Sequence, residues 1–265
     1  MKKQLIFLLL MILAFSLSCQ FLFPAREGTT ISNCSDIVTV VRNIQPSNTP
    51  QSLYETGVKQ GNEFDANEYF NALTNISMQD GYLLDYVYPI ADLGASPILY
   101  ARPEEQPSYT SIEDIPKGTD LVDFHNYIEI EDVEQGYFEY VMMDIMAGQF
   151  YLFWHALYND TQIVCNSSDV NAIISDVNDG SFGNKFDISQ QAKAHAMTNL
   201  EPLVQLTEDT ATVEVIVFTK WGGFYRWTYT ISRSFPHKII APNRKTLYRM
   251  IAGGRFNSPN MMCCN

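Results

Sequence analysis

The 265-residue sequence is poor in charge, with Asp, Glu, Lys and Arg making up 18 %, and from Ile216 to Asn265 it holds no acidic residue. It has four histidines, three tryptophans and five cysteines. His-Glu-x-x-His, Cys-x-x-Cys and histidine pairs at ligand spacing are all missing, so a zinc site would have to gather residues from separate segments, and no cofactor is expected. Gly222-Gly223 and Gly253-Gly254 do not lead from a strand into a helix as a phosphate loop does, and Gly180-Ser181-Phe182-Gly183 is one residue short of a nucleophile elbow. No catalytic motif is found, which leans the reading away from an enzyme without deciding it. Seventeen basic residues against thirty acids argue against nucleic acid as a partner, because phosphate contacts need clustered Lys and Arg.

Long apolar runs are also scarce. The one that stands out, Leu5 to Phe15, is shorter than the roughly 20 residues a membrane crossing needs. It follows the positive start Lys2-Lys3 and runs through Ser16, Leu17 and Ser18 to Cys19, which reads as a signal peptide over residues 1–18. Ser16-Leu17-Ser18-Cys19 resembles the lipobox of bacterial lipoproteins. That resemblance implies an acylated, palmitate-labelled Cys19 and a chain anchored on the extracytoplasmic face of the cell membrane. Ser16 and Ser18 also satisfy the small-x-small rule of ordinary signal cleavage, which would cut the same bond and leave a secreted chain.

Cysteine parity bears on that choice. If Cys19 carries lipid, Cys34, Cys165, Cys263 and Cys264 remain, an even set suited to disulfides in an oxidising compartment. Adjacent cysteines close only a strained ring, because their Cα atoms lie 3.8 Å apart across a trans peptide. Cys263 and Cys264 are therefore expected to cross-link to Cys34 and Cys165, with a Cys34–Cys165 bridge as the alternative.

Without residues 1–18, which hold two lysines and no acid, the net charge moves from −13 to −15. Lys220, Arg226, Arg233, Lys238, Arg244, Lys245, Arg249 and Arg255 put +8 into the acid-free end. These cations are expected to be mostly met by acidic segments of the same domain. The alternative is a patch for anionic headgroups or an anionic polymer.

At 46 % hydrophobic, the mature chain can bury a sizeable core. Residues 19–60 read as anchor, tether and a short ordered segment, helix or strand, rich in Ile37, Val38, Val40, Val41 and Ile44. Residues 61–265 read as a single α+β domain, largely antiparallel sheet with a few packing helices. Asp65 caps an expected helix to Asn75; Tyr82–Ile90 and Ile98–Arg102 form an expected hairpin; 103–118 is a long loop. Strands are expected over 124–130, 137–146, 150–158 and 162–165, the third central because both of its faces are apolar. Helices are expected from a Ser168 cap to Asn178 and over 189–199 from a Ser189 cap. A two-residue Gly222-Gly223 turn would join strands across Val213–Ile231, placing Ile216 against Tyr229 and Phe218 against Trp227.

Among residues that might bear chemistry, His125, His155, His195 and His237 lie far apart and read as structural. Asp176, Asn178, Asp179, Gly180 and Asp187 do not keep calcium-loop spacing and read as a helix end. Tyr100, Tyr109 and Trp221 adjoin loops and are the aromatics to watch for ligand contact. The expectation is a membrane-anchored lipoprotein that binds or displays a cell-surface polymer or protein ligand. The alternatives are a surface hydrolase of wall or polymer substrates and a structural assembly subunit.

Overall fold

The computed structural model describes residues 26–91, 94–154, 161–180, 185–220 and 222–249. It is an α+β fold dominated by antiparallel sheet. The main sheet runs β1 (Thr29–Thr30), β10 (Leu203–Leu206), β11 (Thr210–Thr219), β12 (Gly223–Ser232) and β13 (Ile239–Arg249), with β9 (Gln162–Val164) against the second half of β11. Smaller antiparallel pairs join β2 (Ile76–Met78) to β7 (Ile128–Ile130) and β3 (Tyr82–Val87) to β6 (Ile98–Pro103). The latter is the expected hairpin, with Leu84 opposite Ala101.

The period-two alternation of β11 divides the molecule into two cores. Ala211, Val213, Val215 and Val217 face the larger one, which contains α4 (Glu134–Met146) and α1 (Cys34–Ile44). Ile216 and Phe218 face the smaller one with Phe224, under α5 (Ser167–Asp179) and α6 (Ile188–His195). Two further short helices, α2 (Gln51–Thr56) and α3 (Tyr69–Ala72), pack on the larger core. Asp65 caps the 3-10 turn that leads into α3, shorter than the helix expected to Asn75.

The expected strand over 137–146 is instead helix α4. Nearly every residue from Gly136 to Met146 is buried, so the sequence shows no polar face and no 3.6-residue stripe from which to recognise a helix. Glu139, 3 % exposed, is a buried acid inside this run; it accepts from the Asn75 amide nitrogen and side chain at 2.7 Å and from Gln135 at 2.9 Å. Gly136 lets the first turn press against the preceding segment, since a Cβ there would fall 2.3 Å from the Glu131 carbonyl oxygen. Of the expected strand 124–130, only Ile128–Ile130 is extended, after a 3-10 turn over Phe124–Tyr127. The central strand expected over 150–158 is reduced to β8 (Phe153–Trp154), at the edge of a three-stranded patch with β4 (Ile90–Ala91) and β5 (Gly94–Ala95); residues 155–160 lie outside the described residues.

The β11–β12 hairpin exists, but its register differs by three residues. Thr219 pairs with Gly223, leaving a three-residue loop whose last amide, Gly222 N–H, donates to the Thr219 carbonyl, and Gly223 takes φ +92°. An odd slip exchanges the faces. Val213, Val215 and Val217 therefore oppose Tyr229, Trp227 and Tyr225, and Arg226 opposes Ile216. The slip joins the valine row to the aromatic row over the larger core. Arg226 remains half-buried because Glu214 at 3.4 Å and the Asn199 carbonyl at 3.0 Å receive its guanidinium.

Two helix starts are corrected by two residues each. Asn166, not Ser168, caps α5, accepting from the amides of Ser168 and Asp169, and Asp187, not Ser189, caps α6. Cys34 at the start of α1 is bonded to Cys165 after β9, with Cα atoms 5.6 Å apart. This replaces the pairing of either cysteine with the tail. Both lie in elements packed on the larger core, so the fold itself brings them within disulfide reach. Cys263 and Cys264 lie outside the described residues, as does Cys19.

Candidate functional site

The densest polar constellation is assembled by α4, β12 and the turn before β7. Asp123 caps the 3-10 turn by accepting from the His125 amide, and its carboxylate also reaches His125 Nδ1 at 2.7 Å. On the other side of the ring, His125 Nε2 lies 3.1 Å from Asp144 Oδ1, an ion pair outside good hydrogen-bond angles. Asp144 Oδ2 accepts from the Tyr229 hydroxyl at 2.9 Å. Phe124 stacks on the imidazole at 4.0 Å between centroids, and Tyr140 meets its edge.

Burial opposes charge on His125, but the two carboxylates outweigh it and push its pKa up to about 9. Its contact with His125 in turn holds Asp123 below the ordinary carboxylate range. Burial, reinforced by Asp144, raises the Tyr229 phenol far above its ordinary value. At neutral pH the ring is therefore an imidazolium with both nitrogens facing carboxylates. A general base needs a free lone pair, and this ring has none to offer. The arrangement holds three elements together electrostatically.

Asp144 is one position in a row. Tyr137, Tyr140 and Asp144 face the sheet from α4, Tyr137 donating to Asp132 at 2.8 Å and Tyr140 to the His237 carbonyl at 2.7 Å. Arg233, in the turn after β12, meets the same Asp132 at 2.5 Å.

A second constellation surrounds Asp85, which is 8 % exposed on β3. Lys59 Nζ reaches Asp85 Oδ1 at 2.7 Å, Arg102 Nε reaches Oδ2 at 2.8 Å, and Tyr100 donates to Oδ2 at 3.2 Å. Although burial opposes it, Lys59, the Ser108 hydroxyl and the Tyr86 amide hold the Asp85 carboxyl below its ordinary range. Lys59 also donates to Ser108 Oγ at 2.8 Å, which is the geometry of a Ser-Lys pair. Lys59 Nζ is shared between Ser108 and the Asp85 carboxylate. Arg102 reaches back to the Gln106 carbonyl at 2.6 Å, so the cluster fastens the long loop to the β3–β6 hairpin.

The residues singled out from the sequence are scattered. Tyr100 is buried in the Asp85 cluster with Tyr109 alongside at 5.6 Å, His237 is buried against the Ser232 carbonyl, and His195 ends α6 exposed. His155 and Trp221 lie outside the described residues. Asn178 bonds the Phe186 backbone and Asp187 caps α6, which accounts for two of the oxygens in the calcium-like run. Among the described residues no group of three His, Cys, Asp or Glu is arranged to hold a metal. Asp123 and Asp144 were not linked to His125 from the sequence, nor Tyr229 to Asp144. The available signals were Asp123 two residues before His125, a capping spacing, and Asp144, an acid inside an apolar run.

The basic end is only partly met. Arg226 and Arg233 have carboxylates, and Arg244 lies over Trp227 at 4.2 Å; Lys220, Lys238 and Lys245 are exposed and form no ion pair among the described residues. No helix among these residues is long and apolar enough to cross a membrane. No known protein family, curated protein or solved structure matches the chain.

Proposed function

We propose that the chain is an extracytoplasmic lipoprotein, acylated at Cys19 and anchored in the cell membrane, whose domain binds or displays a surface polymer or protein ligand. The observation that carries the reading is the Cys34–Cys165 disulfide, 131 residues apart and buried at both ends. Stable disulfides belong to oxidising compartments, the same destination read from residues 1–18. Two or more acyl chains hold a protein far more firmly than one. Wild type is expected to take up palmitate and float with membranes, and Cys19→Ala to do neither. Unlabelled, fully soluble wild type would overturn the anchor.

The hydrolase reading draws on the His125–carboxylate pairing. A wall-degrading activity lost in His125→Gln while the fold is kept would favour it. Asp123 and Asp144 on either side of the ring leave hydrolysis as the second reading.

A further inference from the structure

The β12–β13 half of the main sheet carries a partly exposed strip on the face of the larger core. Between the two irregularities of the pairing, Tyr225, Trp227 and Tyr229 lie opposite Thr246, Arg244 and Pro242. Opposed residues, and residues two apart on a strand, share a face. Here it is the face on which Tyr229 is buried in the larger core and Tyr225 and Trp227 pack against it. Helix α4 lies over β10 and β11 and meets β12 through the Tyr229–Asp144 hydrogen bond. Beyond that bond, Tyr225 and Trp227 are half-buried, and Pro242, Arg244 and Thr246 are exposed.

Arg244 is the unmatched charge of this strip. Its guanidinium carbon lies 4.2 Å from the centre of the Trp227 ring, and among the described residues it has neither a carboxylate partner nor a hydrogen-bond acceptor. The acids around it are taken. Asp144, whose charge acts with that of Arg244 on the Tyr229 phenol, is engaged by Tyr229 and His125. Glu214 of β11 lies opposite Thr228 on the other face, where it meets Arg226, and β12 and β13 contain no acid at all. A guanidinium held over an aromatic ring loses less freedom when a planar anion docks on its fork of N–H donors.

We infer that Arg244, held over Trp227 and flanked by Tyr225 and Thr246, is the anion-binding subsite for a carboxylate-bearing polysaccharide. The fork accepts a carboxylate edge to edge. Beside it, the Tyr225 ring offers a flat apolar surface and the Thr246 hydroxyl a hydrogen-bonding group, the two kinds of contact that a pyranose ring uses. An acidic peptide would bind by adding a strand to β13, which is an edge of the sheet among the described residues, and Pro242 has no N–H to give such a strand. A sugar seated on the face makes no demand on that edge. This assignment rests on the reading of the domain as an extracytoplasmic polymer binder and names the class of polymer.

The test uses the full processed protein in detergent micelles at about 0.15 M salt, where attraction between exposed charges is largely screened. Polygalacturonate is the probe, compared by calorimetry with its methyl ester and with poly-glutamate of matching length. Wild type should bind polygalacturonate, and Arg244→Gln should weaken that binding about tenfold or more. Lys245→Gln removes an exposed cation one residue away on the opposite face and should change the affinity less than about twofold. No binding, equal losses in the two variants, or equal or tighter binding of the methyl ester or of poly-glutamate overturns the inference. If such protein still takes up palmitate and floats with membranes, the anchored reading stands without the subsite. Binding through Arg244 in protein that carries no lipid keeps the subsite and removes the anchor.

Discussion

At His125 two opposing effects can be ranked. Burial alone would drive the ring neutral, yet carboxylates on both sides push its pKa up to about 9 against 6.5 for a free histidine. A group whose folded pKa is raised contributes stability that is complete below the unfolded value and is lost as pH rises through the folded one. The contribution of His125 should therefore be full below about pH 6.5 and gone above about pH 9, at most roughly 3 kcal/mol. Thermal melts of wild type and His125→Gln from pH 6 to pH 10 should converge at the alkaline end; a constant difference would show that the ring is not charged. Asp144→Asn removes one of the carboxylates and should bring the His125 pKa down, as read by NMR titration, while costing about 1–3 kcal/mol.

Glu139 makes a sharper demand, because its removal strands the Asn75 amide in the interior. Glu139→Ala is expected to cost roughly 2–3 kcal/mol in denaturant unfolding, well above the few tenths of a surface substitution. A loss under about 0.5 kcal/mol would mean that the buried hydrogen bonds are not formed.

At the scale of elements, α4 determines the larger core, and its entry decides its seat. Replacing a helical glycine by alanine ordinarily gains about 1 kcal/mol in propensity. At Gly136 the added methyl would fall 2.3 Å from a backbone oxygen that cannot swing aside as a side chain would. Gly136→Ala should accordingly destabilise by about 1–3 kcal/mol net, the overpacking term exceeding the propensity term. A stabilised variant would place the helix farther from Glu131.

Some elements were legible in the sequence because their signals are local. The β3–β6 hairpin follows from aromatic and β-branched runs, and α5 from a capping cluster before an apolar stripe. Helix α4 was not legible, because a helix buried on all sides erases the polar face that reveals its period. The β11–β12 register was half legible. Both strands alternate, but either parity offers an apolar face, and the choice falls to what lies above each face: α4 on one side, α5 and α6 on the other.

Across the whole molecule, the Cys34–Cys165 bridge closes a long covalent loop. Linking residues 131 apart removes denatured-state freedom equivalent to about 5 kcal/mol in the chain-entropy model. Reduction, or Cys34→Ala with Cys165→Ala, should lower the melting temperature markedly. Unreduced peptide mapping should recover one Cys34–Cys165 peptide; either cysteine joined to residues 261–265 would show this pairing to be wrong. The polar clusters act over the same range in another way, since Asp85 fastens the long loop and Asp144 joins α4 to β12 and the 123–127 turn.

The sequence by itself determined the α+β class, the acid-free end and the pairing of 82–87 with 98–103, because each is written in neighbouring residues or in composition. Only the tertiary structure decided that 134–146 is a helix, which face of β11 meets which core, that Cys34 finds Cys165, and that His125 lies between Asp123 and Asp144. Each of these depends on residues far apart in the chain, whose pairing is set by the packing of two cores and not by any local pattern.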